Sequence, residues 1–268
     1  MIRLIISDID GTLVPEGESR INSEYFEVIQ ELIDKGIRFA AASGRQVTSV
    51  DAVFHRFSDR MYYLSDNGAC IQKDGKVLEE ICMAKEDVKE LLRDLQQIPG
   101  HHVLLSGREG YYTDDKSTDF HHLVFEQYKG VGSVVEDLEK YTDACIKVSL
   151  YCEEGAQILY DLLDDRWKDK FTIYISGAKW IDINAAGVSK GNAVRWIQDQ
   201  FQITPEETVV FGDNFNDISM MERSTRSYAS VLSHPDIKKA ANYEVASYEE
   251  DGVLQVLKRI AEEIRNEN

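Results

Sequence analysis

The chain has 268 residues, 48 acidic against 30 basic, and a formal net charge of −18. Its 43% hydrophobic and 29% charged content is ordinary for a globular protein and excludes a disordered or fibrous chain. The length allows about one to two domains, and the acidic surplus disfavours nucleic acid and acidic membrane surfaces as partners.

Arg3 to Ser7 is a short apolar run ending in Asp8-Ile9-Asp10-Gly11-Thr12, the pattern of a buried strand entering a loop. From Asn22 to Lys35 the apolar residues recur at helical spacing, with Asn22 placed to cap the start and Gly36 to stop it. Ile37 to Ala42 reads as a strand, followed by Ser43-Gly44-Arg45, a helix from about Gln46 to Phe57, and a strand at Tyr62 to Ser65. This alternation of strand and helix predicts a parallel sheet covered by helices.

The rhythm then changes. Cys70 to Gln72 and Lys76 to Leu78 flank a hairpin signal at Lys73-Asp74-Gly75. A helix is expected over Lys85 to Gln97, and strands at His102 to Ser106 and Gly110 to Thr113. Helical segments are expected at Asp119 to Tyr128 and Ser133 to Tyr141, then a strand at Cys145 to Cys152 and a helix at Ala156 to Trp167. Strands at Phe171 to Ser176 and Trp180 to Asn184 complete an α+β stretch that reads as an insertion. The first rhythm resumes with a helix at Gly191 to Phe201, a strand at Thr208 to Phe211, a short helix at Asp217 to Glu222 and a strand at Tyr228 to Val231. Ser233-His234-Pro235 opens a helix, and a last one runs from about Gly252, with the tail Arg265 to Asn268 expected to fray. The fold expected is therefore α/β. Its parallel-sheet core spans 1–82 and 185–268, and an inserted α+β domain spans 83–184.

No stretch approaches the roughly 18 apolar residues of a membrane helix, and Met1 to Asp10 lacks the pattern of a secretory signal. Cys70, Cys82, Cys145 and Cys152 show no CxxC spacing and read as free thiols of a reducing cytoplasm.

Four polar clusters follow strands or open helices of the alternating part. Asp8 and Asp10 are two apart at a strand end, so both carboxylates point to one side; the plain alternative is a solvated turn. Ser43, Gly44 and the next helix N-terminus make a natural phosphate pocket, unless Ser43 is only a helix cap. Lys190 opens a helix, the wrong end for a cation without an anion beside it, although an exposed lysine is the commoner case. Asp213, Asn216 and Asp217 follow the strand at Val209 to Phe211, where a capped first turn is the alternative. Taken together, the clusters converge on the carboxyl edge of one sheet, where open parallel sheets bind ligands. Asp8, Asp10, Asp213 and Asp217 in one place would need a hard cation, and oxygen ligands suit Mg2+.

These clusters resemble the four motifs of the haloacid dehalogenase-like hydrolase superfamily, in its Cof-type phosphatase branch: DxDGT, T/S-G-R, Lys-Gly and GDxxND. Ser65-Asp66-Asn67-Gly68-Ala69 and Glu250-Asp251-Gly252-Val253 resemble further segments of that branch. The resemblance implies a Rossmann-like core with a C2-type cap that selects the substrate. It implies Asp8 as nucleophile and Asp10 as acid and then base. The metal would be held by Asp8, the Asp10 carbonyl, Asp213 and Asp217, the last directly or through water. Ser43, Gly44, Lys190 and Asn216 would meet the phosphate, with Asn216 supplying an amide donor, while Arg45 would bridge loops. The expected partner is a small phosphorylated metabolite, a sugar phosphate or nucleotide-like cofactor, handled by a monomer or weak homodimer. A phosphoryl-transfer mutase and a non-catalytic phosphate-binding module are the alternatives; the second has no use for Asp10. Tyr111, Tyr112, Trp167 and Trp180 are aromatic candidates for the cap surface, or its core.

Overall fold

The computed structural model describes residues 1–267; Asn268, the end of the tail expected to fray, lies outside them. The chain enters at β1 (Leu4–Ser7), passes through α1 (Glu24–Asp34) to β2 (Arg38–Ala42), and through α2 (Val47–Phe54) to β3 (Tyr62–Ser65). It turns back in a hairpin of β4 (Cys70–Lys73) and β5 (Lys76–Glu80). The insertion then carries α3 (Lys85–Leu95), β6 (His102–Gly107), β7 (Gly110–Thr113), α4 (Thr118–His121) and β8 (Gly132–Val134). It continues with β9 (Cys145–Tyr151), α5 (Gln157–Trp167), β10 (Phe171–Ile175) and β11 (Trp180–Ala185). The return consists of α6 (Lys190–Phe201), β12 (Thr208–Gly212), α7 (Ile218–Met221), β13 (Arg226–Ser230), α8 (Pro235–Ala240), β14 (Tyr243–Val245) and α9 (Gly252–Glu267).

The first sheet has the order β14-β13-β12-β1-β2-β3-β4-β5. Its strands from β14 to β3 are parallel, and β4 and β5 add antiparallel to one edge. Both faces are covered, which is why β1 is apolar at successive positions rather than alternating. Ile5 packs in the layer of α1 and α9 with Ile29, Leu32, Leu257 and Ile260. Leu4 and Ile6 pack in the opposite layer with Val194 and Ile197 of α6. Each such fully buried side chain contributes about 1.5–3 kcal/mol.

The second sheet has the order β10-β11-β9-β6-β7-β8. Its strands do alternate. Leu105, Val148, Leu150, Ile181 and Ile183 face α3 and α5 in one core. The neighbouring positions Leu104, Lys147, Ser149, Trp180 and Asp182 face the other way and line a cavity with residues of the first sheet. The carboxyl ends of β1, β2 and β12 therefore look into a cleft walled by the polar face of the second sheet.

Three stretches depart from the sequence pattern. Ser133 to Tyr141, expected to be helical, splits into the edge strand β8 and a tight turn of helix over Leu138–Ala144. The partner decides: β8 pairs with β7, and Gly132 lies so close that a Cβ there would come within 2.0 Å of the Tyr111 carbonyl oxygen. Strand β14 has only three residues and takes its identity from pairing with β13, which no local periodicity records. Arg265 to Glu267 continue α9 rather than fray. No described helix is long and apolar enough to cross a membrane.

Candidate active site

Because β12, β1 and β2 are neighbours, Asp8, Ser43 and Asp213 leave adjacent strand ends. Carboxylate oxygens of Asp8, Asp213 and Asp217 lie within 4.8 Å of one another. Gly11 makes this approach possible: its φ is +76°, and a Cβ there would sit 2.2 Å from Asp213 Oδ2. Lys190, buried at the start of α6, donates from Nζ to Asp8 Oδ1 and Asp217 Oδ1, each at 2.6 Å. The Asp213 and Asn214 backbone N–H groups donate to Asp217 Oδ2 at 2.9 and 3.0 Å. Both Asp217 oxygens thus already accept hydrogen bonds, while Asp213 Oδ1 accepts one from the Thr12 hydroxyl at 3.0 Å.

The electrostatics follow from burial. Desolvation, with Asp217 and Asp10 nearby, pushes the Asp8 carboxyl up to about 7 against the pull of Lys190. Burial and then the charges of Asp8 and Asp217 hold the Asp213 carboxyl well above the carboxylate range. Burial works against the Lys190 ammonium, and Asp217 and Asp8 outweigh it, so its pKa is raised. Two buried carboxyls, Asp8 and Asp217, and the half-buried Asp213 share one lysine, which leaves a deficit of positive charge among oxygen donors. That donor set fits a hard divalent cation such as Mg2+, with Asp8 and Asp213 as the side chains available to hold it.

Asp10 is held differently. Arg45 donates from Nε to Asp10 Oδ2 at 2.7 Å and from Nη2 to Oδ1 at 2.5 Å, and the Gly17 N–H adds a bond of 2.8 Å. Arg45 was expected to bridge loops, and it does reach the Glu18 carbonyl, yet its main partner is the Asp10 carboxylate. Its Nη1 is buried without a partner, and the guanidinium lies 5.4 Å from the ring centre of Tyr128.

Ser43 caps no helix. Its Oγ accepts from the Arg45 N–H at 3.1 Å, and α2 starts later without a side-chain cap. Asp8, Asp10, Gly44 and Asn216 line the cavity between the sheets, which encloses about 80 Å³. Lys190 and Asp217 stand behind Asp8. Tyr111 and Trp180 line the cavity, whereas Trp167 belongs to the α3–α5 core and Tyr112 stacks on Tyr141 at 4.3 Å.

Several participants escaped the sequence reading. Lys147, Asp182 and Asn67 are buried beside the cavity, and Glu16 lines it with its carboxyl pushed up by burial and then Asp10. A signal did exist for three of them, since Asn67 lies in the Ser65 to Ala69 segment that resembles the family. Lys147 and Ser149, and Asp182 and Asn184, occupy alternate positions of adjacent apolar strands. Such a face is ordinarily solvated; here it faces the other sheet. Asn216, expected as an amide donor to an anion, donates one N–H of its Nδ2 to Asn67 Oδ1 at 3.0 Å, and its buried Oδ1 has no partner among the described residues.

A sequence model of haloacid dehalogenase-like hydrolases matches residues 5–257. The 5-amino-6-(5-phospho-D-ribitylamino)uracil phosphatase of Escherichia coli is 26% identical over 260 residues, covering 97% of this chain and 96% of that one. A crystal structure from Eubacterium rectale superposes with a TM-score of 0.84 at 32% identity, covering 97% and 99% of the two chains. One from Streptococcus mutans reaches 0.88 at 25% identity with the same coverage. Strand-end carboxylates, a buried lysine and end-to-end similarity agree, and the chain belongs to the haloacid dehalogenase-like hydrolases as a phosphatase of that family.

Proposed function

We propose that the protein hydrolyses phosphomonoesters of small metabolites, with Asp8 as nucleophile and Mg2+ as cofactor. The observation that carries this reading is the Lys190 bridge from Asp8 to Asp217 beside Asp213, at the mouth of a cavity between the two sheets. Asp8 attacks phosphorus in line, forming an Asp8–phosphorus bond as the bond to the leaving oxygen breaks. Asp10 gives that oxygen its proton. It then takes one from the water that hydrolyses the aspartyl-phosphate and frees Asp8. Arg45 and the Gly17 N–H hold the Asp10 carboxyl in place for both transfers. Lys190, the Ser43 hydroxyl and the Gly44 backbone would meet the charge spread over the phosphoryl oxygens. Mg2+ held by Asp8, the Asp10 carbonyl and Asp213, with Asp217 reached through water, would supply the neutralisation that lets an anionic nucleophile meet an anionic phosphate.

Residues 83–184 act as the cap that selects the leaving group. Tyr111, Tyr128 and Trp180 give the cavity an aromatic lining, which suits a sugar or a nucleotide-like ring. The ribitylaminouracil phosphate in the Escherichia coli relative's name supports a leaving group of that kind. Phosphate release from p-nitrophenyl phosphate tests the core of the proposal. Asp8→Asn is expected to abolish it with the fold intact, and EDTA to abolish it reversibly. Release undiminished by either would refute the mechanism.

A further inference from the structure

Lys147 and Asp182 belong to the second sheet, yet their polar atoms end among the groups proposed to cradle phosphate. Lys147 Nζ donates to the Gly44 carbonyl and, at 3.1 Å, to Asp182 Oδ2. The Gly44–Arg45 peptide is thereby gripped at both ends, since the Arg45 N–H of the same unit donates to Ser43 Oγ at 3.1 Å. Asp182 Oδ1 accepts from Ser149 Oγ at 2.7 Å, and Oδ2 also accepts from Asn67 Nδ2 at 2.8 Å. All of these side chains are buried.

The direction of each bond matters. A carboxylate only accepts, so Asp182 dictates which end of the Asn67 amide faces it. Asn184 Oδ1, 3.1 Å from the same Nδ2, reinforces that choice. The Asn67 oxygen must then face Asn216, which turns its own Nδ2 toward it at 3.0 Å. Asn216 Oδ1 is left buried and unpartnered, on a residue that lines the cavity. A carboxylate of the second sheet thus sets the polarity of an atom at the reaction site through two amides of the first.

We propose that Asp182 and Lys147 are positioning residues. They orient the Asn216 amide and the Gly44 peptide, so the phosphate cradle is complete only when the second sheet is seated on the strand ends. Asn216 accordingly presents its Oδ1 as an acceptor toward a substrate hydroxyl or a water. This rests on reading the cavity as the phosphoester site, and the two readings fail separately.

Heteronuclear NMR of the Asn67 and Asn216 side-chain amides needs no turnover. Asp182→Ala, which removes the acceptor altogether, is expected to shift both signals, although Asn67 stands between Asp182 and Asn216. Ser149→Ala, which removes only the bond to Oδ1, leaves the Asn216 signal in place. With p-nitrophenyl phosphate, Asp182→Ala lowers kcat about 10- to 100-fold and moves KM less than about threefold, and Asp182→Asn, which keeps an acceptor for Asn67, restores part of the loss. In an Asn67→Ala background the same Asp182→Ala change costs less than about threefold further, because its route to Asn216 is already cut. An unmoved Asn216 amide overturns the relay. So does an undiminished kcat, or an undiminished cost in the Asn67→Ala background, which would make Asp182 an independent contact. A parent enzyme without turnover overturns the phosphoester reading, while the amide shifts still decide the relay.

Discussion

Asp213 sits half-buried where like charges crowd, with Lys190 too occupied by Asp8 and Asp217 to neutralise it. Stability is being spent on function. Asp213→Asn keeps the oxygen that accepts from Thr12 and removes a charge, so without metal its melting temperature is expected to exceed the parent's. Its phosphatase activity is expected to fall at least about 100-fold. A melting temperature below the parent's in EDTA would contradict the charge argument. Asp66 is a buried acid. Its carboxyl is pushed up to about 6 by burial, against the pull of Lys147 and the Ser106 hydroxyl. The folded protein then holds this proton more tightly than the unfolded chain, whose carboxyl titrates near 3.8. Folding stability therefore falls as pH rises from about 4 through about 6, by something on the order of 3 kcal/mol. Asp66→Asn cannot lose a proton, and asparagine tolerates the backbone φ of +51° found here. Its melting-temperature advantage over the parent should grow across that window and level off above it. The four motifs around these residues were legible because each pairs unusual chemistry with a strand end or helix start. The roles of Arg45 and Asp182 were not, because their partners lie 35 and 115 residues away.

Helix α6 shows how an element serves the site. Ser189 Oγ accepts from the Asn192 N–H at 3.0 Å and fixes the first turn, whose first residue is Lys190. Ser189→Ala is expected to cost about 1 kcal/mol of stability, and Ser189→Thr to retain most of it. The loss should read as a melting temperature about 2–4 °C lower. The elements of the first sheet were predictable because hydrophobic spacing and Gly36 as a stop act locally; Asn22, expected as the cap, stands one residue before the capping position Ser23, and its Oδ1 accepts from the Glu24 N–H at 3.0 Å. Ser133 to Tyr141 was misread because an edge strand of three residues is made by its partner, not by its own pattern.

At the scale of the molecule, the net charge of −18 opposes every anionic substrate before it reaches the cation-seeking site. Screening should relieve that repulsion, since the Debye length shrinks to about 8 Å at physiological ionic strength. At fixed Mg2+, kcat/KM for p-nitrophenyl phosphate is expected to rise about two- to threefold between roughly 20 and 150 mM NaCl. A fall instead would mean that local positive potential at the cleft outweighs the surface. Length, charge and motif order determined by themselves that this is an acidic α/β protein with strand-end carboxylates and an insertion, because those features are carried by residues near one another in the chain. Only the tertiary structure decided that the insertion turns the polar face of its sheet to the first, that Arg45 holds Asp10, and that Asp182 sets the Asn216 amide. Hydrogen-bond direction between buried groups depends on which distant side chain arrives to accept or donate, and that is a property of packing rather than of spacing.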